Sequence, residues 1–349
     1  MVLGDLGTSE LIASRSVSPH DYVLRPSEVR LVSEADIIFW TGPSILPVLE
    51  KFLEGLPPET QVISLLEEVE GSLLPIRDPV SFYEDDDHDE HDEHEKHDEH
   101  DHEGHDDHED NDEHDEHDEH EKHDEHDHEG HDDHEDNDEH DEHDEHEKHD
   151  EHDHEGHDDH EDNDEHDEHG HGHAHDHGDF DPHAWLDPNL VLEWIDIIAD
   201  VMSDADPANQ ETYLSNAEQA KTRIIKLDEE INDRLHDVNP KFVLYHDAFQ
   251  YFELHYGLSA IGSISDIAGS DPGARHIRRL IDRISEVGVS CAFSEPLFED
   301  DLLETVVSGA DINVYEIDPT GARFEPGPDL YLELISSIAD SFIECGSKD

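Results

Sequence analysis

Basic residues are scarce in this 349-residue sequence, which holds 19 Lys and Arg against 100 Asp and Glu and carries a formal net charge of −81. This shortage argues against a nucleic-acid binder, because phosphate recognition requires clustered Lys and Arg. An anionic membrane surface would repel the chain as well. Cations are therefore the natural partners of this composition.

Long apolar runs are also lacking. No run reaches the length that a bilayer-spanning helix requires. Residues 1–12 have neither the basic start nor the sustained apolar core of a secretion signal. The sequence therefore predicts no membrane span and no signal peptide.

Cysteine is limited to Cys291 and Cys345. Two buried free thiols are one interpretation, since unpaired cysteine behaves as a small apolar residue. The other is a single disulfide, which requires an oxidising compartment. The residues alone leave both alternatives open.

One internal block, residues 84–179, lacks Val, Leu, Ile, Phe and Trp altogether. It holds 30 of the 36 histidines and 53 of the 100 acidic residues. A 26-residue unit recurs within it and places Lys96, Lys122 and Lys148 at equivalent positions. Such a segment buries too little apolar surface to offset the entropy of ordering, so we predict a disordered, low-complexity insertion.

The other 253 residues alternate predicted strands and helices. Apolar patterns predict strands at 35–41, 61–65, 242–245, 259–263, 289–294 and 312–317, and helices at 46–56, 189–203, 248–255, 275–286, 301–308 and 329–344. A longer helix begins near Pro207, with apolar residues stepping by three and four. This order predicts an α/β fold of parallel sheets flanked by helices.

Six histidines lie outside the block, and three of them occupy constrained positions. His246 directly follows the predicted strand KFVLY, whereas His183 in DPHAWLDP and His20 in SPHDY each follow a proline. Asp318 in EIDPTG ends another predicted strand. Ligands of parallel sheets bind beyond the carboxyl ends of the strands. Three imidazoles and one carboxylate would form a four-coordinate site, and imidazole favours Zn²⁺ over hard cations.

The remaining three histidines, His236, His255 and His276, fall on predicted helix surfaces or their ends. A histidine in such a position is usually solvated. We therefore predict that these three take no part in the site.

Several motifs, in this order, resemble the zinc-binding components of bacterial ABC-type high-affinity zinc uptake systems: SPHDYVLRPSEVRLVSEADIIFWTGP, DPHAWLDP, KFVLYHDAFQYFELHYGL, FSEPLF and EIDPTG. The resemblance implies two α/β lobes joined by one long rigid helix, with zinc in the cleft between them. The implied ligands are His20, His183 and His246, with Asp318 as a fourth or nearby group. Family members that bind manganese replace the third histidine by a carboxylate, so His246 implies zinc.

The resemblance also implies a domain organisation. Residues 1–83 and 180–205 would form the N-terminal lobe, 84–179 the loop, 206–238 the linker helix and 239–349 the C-terminal lobe. A disulfide in the second lobe would join Cys291 to Cys345. The family's secretion signal and first strand–helix unit are missing from this pattern, so we expect either a truncated chain start or a defective copy of a periplasmic protein.

The implied function is capture of zinc outside the cytoplasm by a monomer, followed by delivery to the permease of an ABC transporter. The His-rich loop would collect zinc weakly or sense its abundance. One alternative is a zinc storage or buffering protein that acts mainly through the loop. A zinc hydrolase would need a general base beside the metal, for which Glu295 in FSEPLF is the candidate. We interpret Glu295 as a polar residue that supports the cleft, and we expect no enzyme.

Overall fold

The computed structural model describes residues 1–12, 17–77, 82, 179–270, 272–308 and 310–347. The predicted disordered insertion lies outside the described residues except for Asp179. The described residues before and after the insertion belong to one compact unit. The lobe boundaries near residues 205 and 238 stay a prediction.

Two parallel sheets carry the fold. The first pairs β1 (Ile37–Trp40) with β2 (Gln61–Ser64), and the second contains β3 (Phe242–His246), β4 (Gly262–Ser265), β5 (Cys291–Ser294) and β6 (Asn313–Glu316) in the order β4-β3-β5-β6. Every described strand pair is parallel. Parallel neighbours require a crossover connection, and helices supply these connections. The predicted α/β class is confirmed.

Helices occupy most of the remaining described chain. They are α1 (Pro26–Glu34), α2 (Pro47–Leu53), α3 (Leu65–Glu68), α4 (Pro188–Ala205), α5 (Gln210–Leu235), α6 (Gln250–Tyr256), α7 (Ala274–Val287), α8 (Asp301–Val307) and α9 (Leu330–Gly346). The start of α4 is encoded locally, since Pro188 opens the helix and the Asp187 side chain accepts a hydrogen bond from Asn189 N. Within the described chain, no helix combines the length and apolar character of a membrane span.

The predicted long helix is α5, which spans 26 residues and is about 39 Å long at 1.5 Å per residue. One face of it is buried: Tyr213, Ala217, Ala220, Ile224, Ile231 and Leu235. This face packs against α4 on one side and α9 on the other. The three- and four-residue spacing in the sequence therefore predicted both the helix and the face that it buries.

Aromatic packing joins the second sheet to α9. The Phe342 ring of α9 lies 5.0 Å from the rings of Phe242 and Phe293, which belong to the adjacent strands β3 and β5. A disulfide joins Cys291, the first residue of β5, to Cys345 near the end of α9. Of the two alternatives for the cysteines, the structure forms the disulfide.

Three elements differ from the sequence-based expectation. One is the short helix α3, which was not predicted and begins at Leu65, where the strand 61–65 was expected to end. The strand predicted at 259–263 lies at Gly262–Ser265, because its pairing with β3 places Gly262 opposite Val243. Helix α1 was not predicted, since its apolar content is low. It begins at Pro26, and the Glu28 side chain accepts a hydrogen bond from Arg25 N at 2.7 Å.

Replacing both cysteines by alanine should lower the free energy of unfolding by about 4 kcal/mol, because the bond closes a loop in the unfolded chain across a separation of 54 residues. Urea unfolding monitored by circular dichroism measures this change. Reduced wild-type protein is the control, since it lacks the bond but keeps both sulfur atoms. Equal stabilities of oxidised and reduced wild type would contradict the expectation.

Candidate metal-binding site

His20 lies in a short 3-10 turn, Pro19–Asp21, that follows the buried residue Ser18. The chain just beyond the turn is anchored to α1, because the Tyr22 hydroxyl donates to Glu28 Oε1 at 2.5 Å. Tyr22 and Glu28 are both buried. The half-buried His20 thus lies between the buried Ser18 and Tyr22, and Tyr22 is hydrogen-bonded to α1.

His183 lies just before another 3-10 turn, Ala184–Leu186, and is 2% exposed. Asp181 Oδ1 lies 2.9 Å from both the backbone N and the ring Nδ1 of His183. The Trp185 ring lies 5.2 Å from the imidazole, and its Nε1 donates to Pro319 O at 2.7 Å. Because Nδ1 is engaged by the carboxylate, Nε2 is the atom left for a ligand.

His246 is the last residue of β3 and is 3% exposed. Glu295, which follows β5, places Oε1 2.6 Å from His246 Nδ1 and 3.3 Å from its backbone N. The Phe298 ring lies 5.1 Å from the imidazole. The arrangement repeats that of His183: a buried carboxylate is bonded to Nδ1, and Nε2 is the atom left for a metal ion.

The three imidazoles converge although they come from distant parts of the chain. Their ring centroids are 5.5 Å apart for His20 and His183, 5.4 Å for His183 and His246, and 6.4 Å for His20 and His246. One nitrogen from each ring can be chosen so that all three lie within 4.8 Å of one another. Zinc–imidazole bonds are about 2.0–2.1 Å long, so one ion can be reached by all three nitrogens after small side-chain movements.

Burial and the neighbouring carboxylates control the charge of the buried site residues. Burial lowers the pKa of His183 well below its ordinary value, and the adjacent His246 lowers it further. Burial acts in the same direction on His246, but the Glu295 carboxylate reverses the effect and raises its pKa. Burial also raises the pKa of Asp181 to about 7, even though the His183 N–H donates to it. The His183 imidazole is therefore neutral, which is the form that binds a metal ion.

Asp318 lines the same pocket as the three histidines. Its Oδ1 accepts hydrogen bonds from Thr320 N and Gly321 N at 3.0 and 2.9 Å, and its Oδ2 accepts one from Arg323 N at 3.2 Å. Both oxygens thus order the turn that begins at Asp318, where Gly321 has a φ of 73°. The structure places this side chain beside the three histidines but outside the group formed by their nitrogens.

The chain as a whole is similar to known proteins. The family model described as ZnuA, zinc-uptake complex component A, periplasmic, matches residues 1–345. The chain belongs to the ZnuA family. It is thus a zinc-uptake component of the ZnuA type, in a family of metal solute-binding proteins, as the sequence resemblance predicted.

A relative from the same family and two solved structures of similar fold illustrate these similarities. The ZnuA protein of Paracoccus denitrificans, named a high-affinity zinc uptake system protein, is 36% identical over all of this chain and 88% of its own length. The crystal structure of a ZnuA deletion mutant with zinc bound has a TM-score of 0.63 at 17% identity, covering 100% of this chain and 93% of the other. The Pseudomonas aeruginosa protein FpvC, solved in complex with Mn²⁺, has a TM-score of 0.62 at 15% identity over 99% and 93%.

The structure adds one residue to the site that sequence analysis missed. Asp181 lies in the motif GDFDPHAW, two residues before a predicted ligand, and holds that ligand in place. An acidic residue two positions before a constrained histidine is a signal that could have identified it. Glu295 contacts His246, which agrees with the supporting role expected for it.

His255 corrects the prediction that the remaining histidines are solvated. Its side chain is 15% exposed, and it bridges Asp187 Oδ1 at 3.2 Å and Asp228 Oδ1 at 2.7 Å. These contacts join α6 to α5 and to the start of α4, a few residues beyond His183. The prediction is also wrong for His276, which is half-buried and donates from Nε2 to Ser263 O at 2.7 Å. It is confirmed for His236, whose side chain is 77% exposed.

The environment of His255 predicts a pH-dependent contribution to stability. Burial alone would lower its pKa, but the hydrogen bonds to Asp187 and Asp228 raise it to about 9. A raised folded-state pKa stabilises the fold fully below the unfolded value, and the effect disappears as the pH rises. The free energy of unfolding should therefore fall between about pH 6.5 and pH 9, and His255→Gln should flatten this decline.

Denaturant unfolding measured at several pH values tests this expectation. The matched control is His236→Gln, which removes an imidazole from an exposed position. If His255→Gln and wild type kept the same difference in stability from pH 6 to pH 10, the ion pairs would make no such contribution.

Proposed function

We propose that this chain captures Zn²⁺ outside the cytoplasm through His20, His183 and His246 and delivers it to the permease of an ABC transporter. The observation that carries the proposal is the convergence of three imidazole nitrogens within 4.8 Å, two of them from buried histidines fixed by carboxylates. The ion is the transported substrate, so the site must bind it and later release it. A monomer in the periplasm is the form that we propose, and the disulfide agrees with an oxidising compartment.

The ligand set supports zinc over manganese. Imidazole suits zinc, whereas manganese prefers carboxylate, carbonyl and water oxygens. The carboxylates of Glu295 and Asp181 are each hydrogen-bonded to a ring Nδ1, of His246 and His183 respectively. These bonds engage one oxygen of each carboxylate. Because one fold neighbour was solved with Mn²⁺, competition between the two ions is the measurement that decides selectivity.

We propose that Asp318 acts from the pocket wall rather than as a strong ligand. Four hydrogen-bond donors already face its two oxygens. Binding a metal through either oxygen would compete with the backbone N–H groups that order its turn. The fourth zinc position is then available to water or to a group on the permease.

His246→Ala should lower zinc affinity by more than about 100-fold. Loss of a residue that only supports a ligand costs up to about 100-fold, and loss of the ligand itself should cost more. Glu295→Gln should lower zinc affinity by about 10- to 100-fold, because it removes the carboxylate bonded to His246 Nδ1 and keeps the His246 ligand itself. Asp318→Asn should lower affinity less than His246→Ala. Competition titrations against a chromophoric chelator, with and without Mn²⁺, provide these values.

His236→Ala is the control for these variants, because its imidazole is exposed and lies outside the three-histidine group. The proposal is wrong if His246→Ala binds zinc as tightly as wild type. It also fails if Mn²⁺ displaces zinc from wild type at equal concentrations.

The His-rich insertion is proposed to collect zinc weakly for the cleft or to sense its abundance. It contributes 30 of the 36 histidines, and neutral imidazole is the binding form. Its zinc binding should therefore weaken as the pH falls below about 6.5. Weak binding by the insertion would supply zinc to the three-histidine site and would not replace tight binding there.

Deleting residues 93–172, which lie within the insertion, should remove the weak binding events and leave one tight site. Calorimetric zinc titration measures both classes at once. A variant of full length with glutamine at every histidine of 93–172 controls for the change in length. Unchanged stoichiometry would contradict zinc collection by the insertion, and loss of all tight binding would favour storage through the insertion.

A further inference from the structure

Two short segments join the insertion to the folded chain, residues 74–77 and 179–181, and we name them together the stem. They run antiparallel, with a bridge between Pro75 and Phe180. Asp181 N donates to Leu74 O at 2.8 Å, and Ile76 N donates to Asp179 O at 3.2 Å. The described segments 74–77 and 179–181 are therefore held side by side.

The stem contacts the metal site first through its second segment. Asp181 closes that segment and bonds Nδ1 of His183. Its backbone O accepts a hydrogen bond from the Tyr251 hydroxyl at 2.9 Å, and the same hydroxyl accepts one from Leu74 N at 3.0 Å. Tyr251 of α6 thus ties both stem segments to the part of the fold that contains His246.

The first stem segment ends in Arg77, which contacts two buried carboxylates. Its Nε lies 3.1 Å from Asp247 Oδ2, and Nη2 also contacts Asp247 Oδ1. Its Nη1 and Nη2 lie 3.1 and 2.9 Å from the two oxygens of Glu253. Side-chain exposure is 16% for Arg77, 6% for Asp247 and 4% for Glu253. Only a planar guanidinium can bind both carboxylates through two bonds each.

Asp247 connects this cluster to the metal site because it directly follows His246. Its backbone N donates to Asp266 O at the end of β4. Glu253 also accepts a hydrogen bond from Ala260 N at 2.8 Å, which joins α6 to the chain entering β4. Arg77 therefore fixes the residue after the ligand and the helix that follows it.

Electrostatics make Arg77 difficult to replace. Asp247 and Glu253 are both buried, and Arg77 supplies a positive charge in hydrogen-bonding contact with each of them. Loss of one partner from such a buried cluster leaves uncompensated charge, which is far costlier than loss of an exposed ion pair.

We propose that Arg77 is a positioning residue for zinc binding, which aligns His246 through Asp247 and makes the stem of the insertion part of the metal site. The inference rests on the proposed function, because it assumes that His246 is a ligand. Arg77 itself does not touch the ion. It acts by holding the end of β3 in the position from which His246 meets His183.

Arg77→Lys is the main test, because lysine keeps the charge but cannot bind two carboxylates bidentately. Zinc affinity from chelator competition should fall by about 10- to 100-fold, as for other outer-shell partners. With Co²⁺ as a spectroscopic probe, the visible absorption of the bound ion should change in intensity or position. Arg234→Lys is the matched control, since Arg234 pairs with Asp340 between α5 and α9 on the exposed surface.

A second variant separates positioning from charge balance and from folding. Arg77→Met combined with Asp247→Asn and Glu253→Gln removes the cation and both buried anions together. Its folding is checked by circular dichroism and by the unfolding midpoint without metal. If Arg77 positions the ligand, this variant also binds zinc weakly and gives the altered Co²⁺ spectrum.

Three results would overturn the proposal: wild-type zinc affinity in Arg77→Lys, an unchanged Co²⁺ spectrum there, or wild-type affinity in the charge-neutral triple variant. The last would mean that Arg77 only balances buried charge. Failure of the proposed function looks different, because then wild-type protein itself would lack a tight site that depends on His246.

Discussion

Two buried hydrogen bonds between a carboxylate and an imidazole set the geometry of the metal site. Asp181 holds Nδ1 of His183, and Glu295 holds Nδ1 of His246, so Nε2 of each ring remains for an ion. A buried carboxylate needs such a partner, because an unpaired charge away from water is costly. The same contacts therefore satisfy the buried acids and orient the ligands.

The fold brings each of these pairs together in a different way. His246 ends β3 and Glu295 follows β5, and these two strands are parallel neighbours whose carboxyl ends meet at one edge of the sheet. Sheet register thus fixes this pair, with Phe342 and the disulfide packing α9 against the same two strands. Asp181 and His183, by contrast, lie two residues apart, so a local turn fixes their pair. His20 is added from a third segment that is anchored through Tyr22 and Glu28.

Elements with strong local signals could be predicted from the sequence. The apolar spacing of α5 and the continuous apolar run of β3 identified both elements, and proline-fixed turns singled out His20 and His183. The position of β4 was less well determined, because the segment from Leu258 to Ile264 mixes apolar residues with Ser and Gly and allows several registers, of which pairing with β3 selects one. Whether a polar side chain is free to bind a metal also depends on its partners, as Asp318 and its turn illustrate.

Charged residues with distant partners could not be predicted. Arg77 meets Asp247 and Glu253 across separations of 170 and 176 residues, and no local pattern encodes such contacts. His255 was assigned to solvent because its partners, Asp187 and Asp228, come from other helices. In both cases burial of the charge is a property of the tertiary structure.

The paired ends of the insertion have a consequence for how this protein can change over evolutionary time. Because Leu74 and Asp181 are hydrogen-bonded to each other, the distance between the two ends does not depend on the number of residues between them. The entropy of closing a loop grows only with the logarithm of its length. Whole 26-residue units of the insertion can therefore be gained or lost without changing the contact of Asp181 with His183. The number of histidines in the insertion then changes in integer steps, separately from the three histidines of the site.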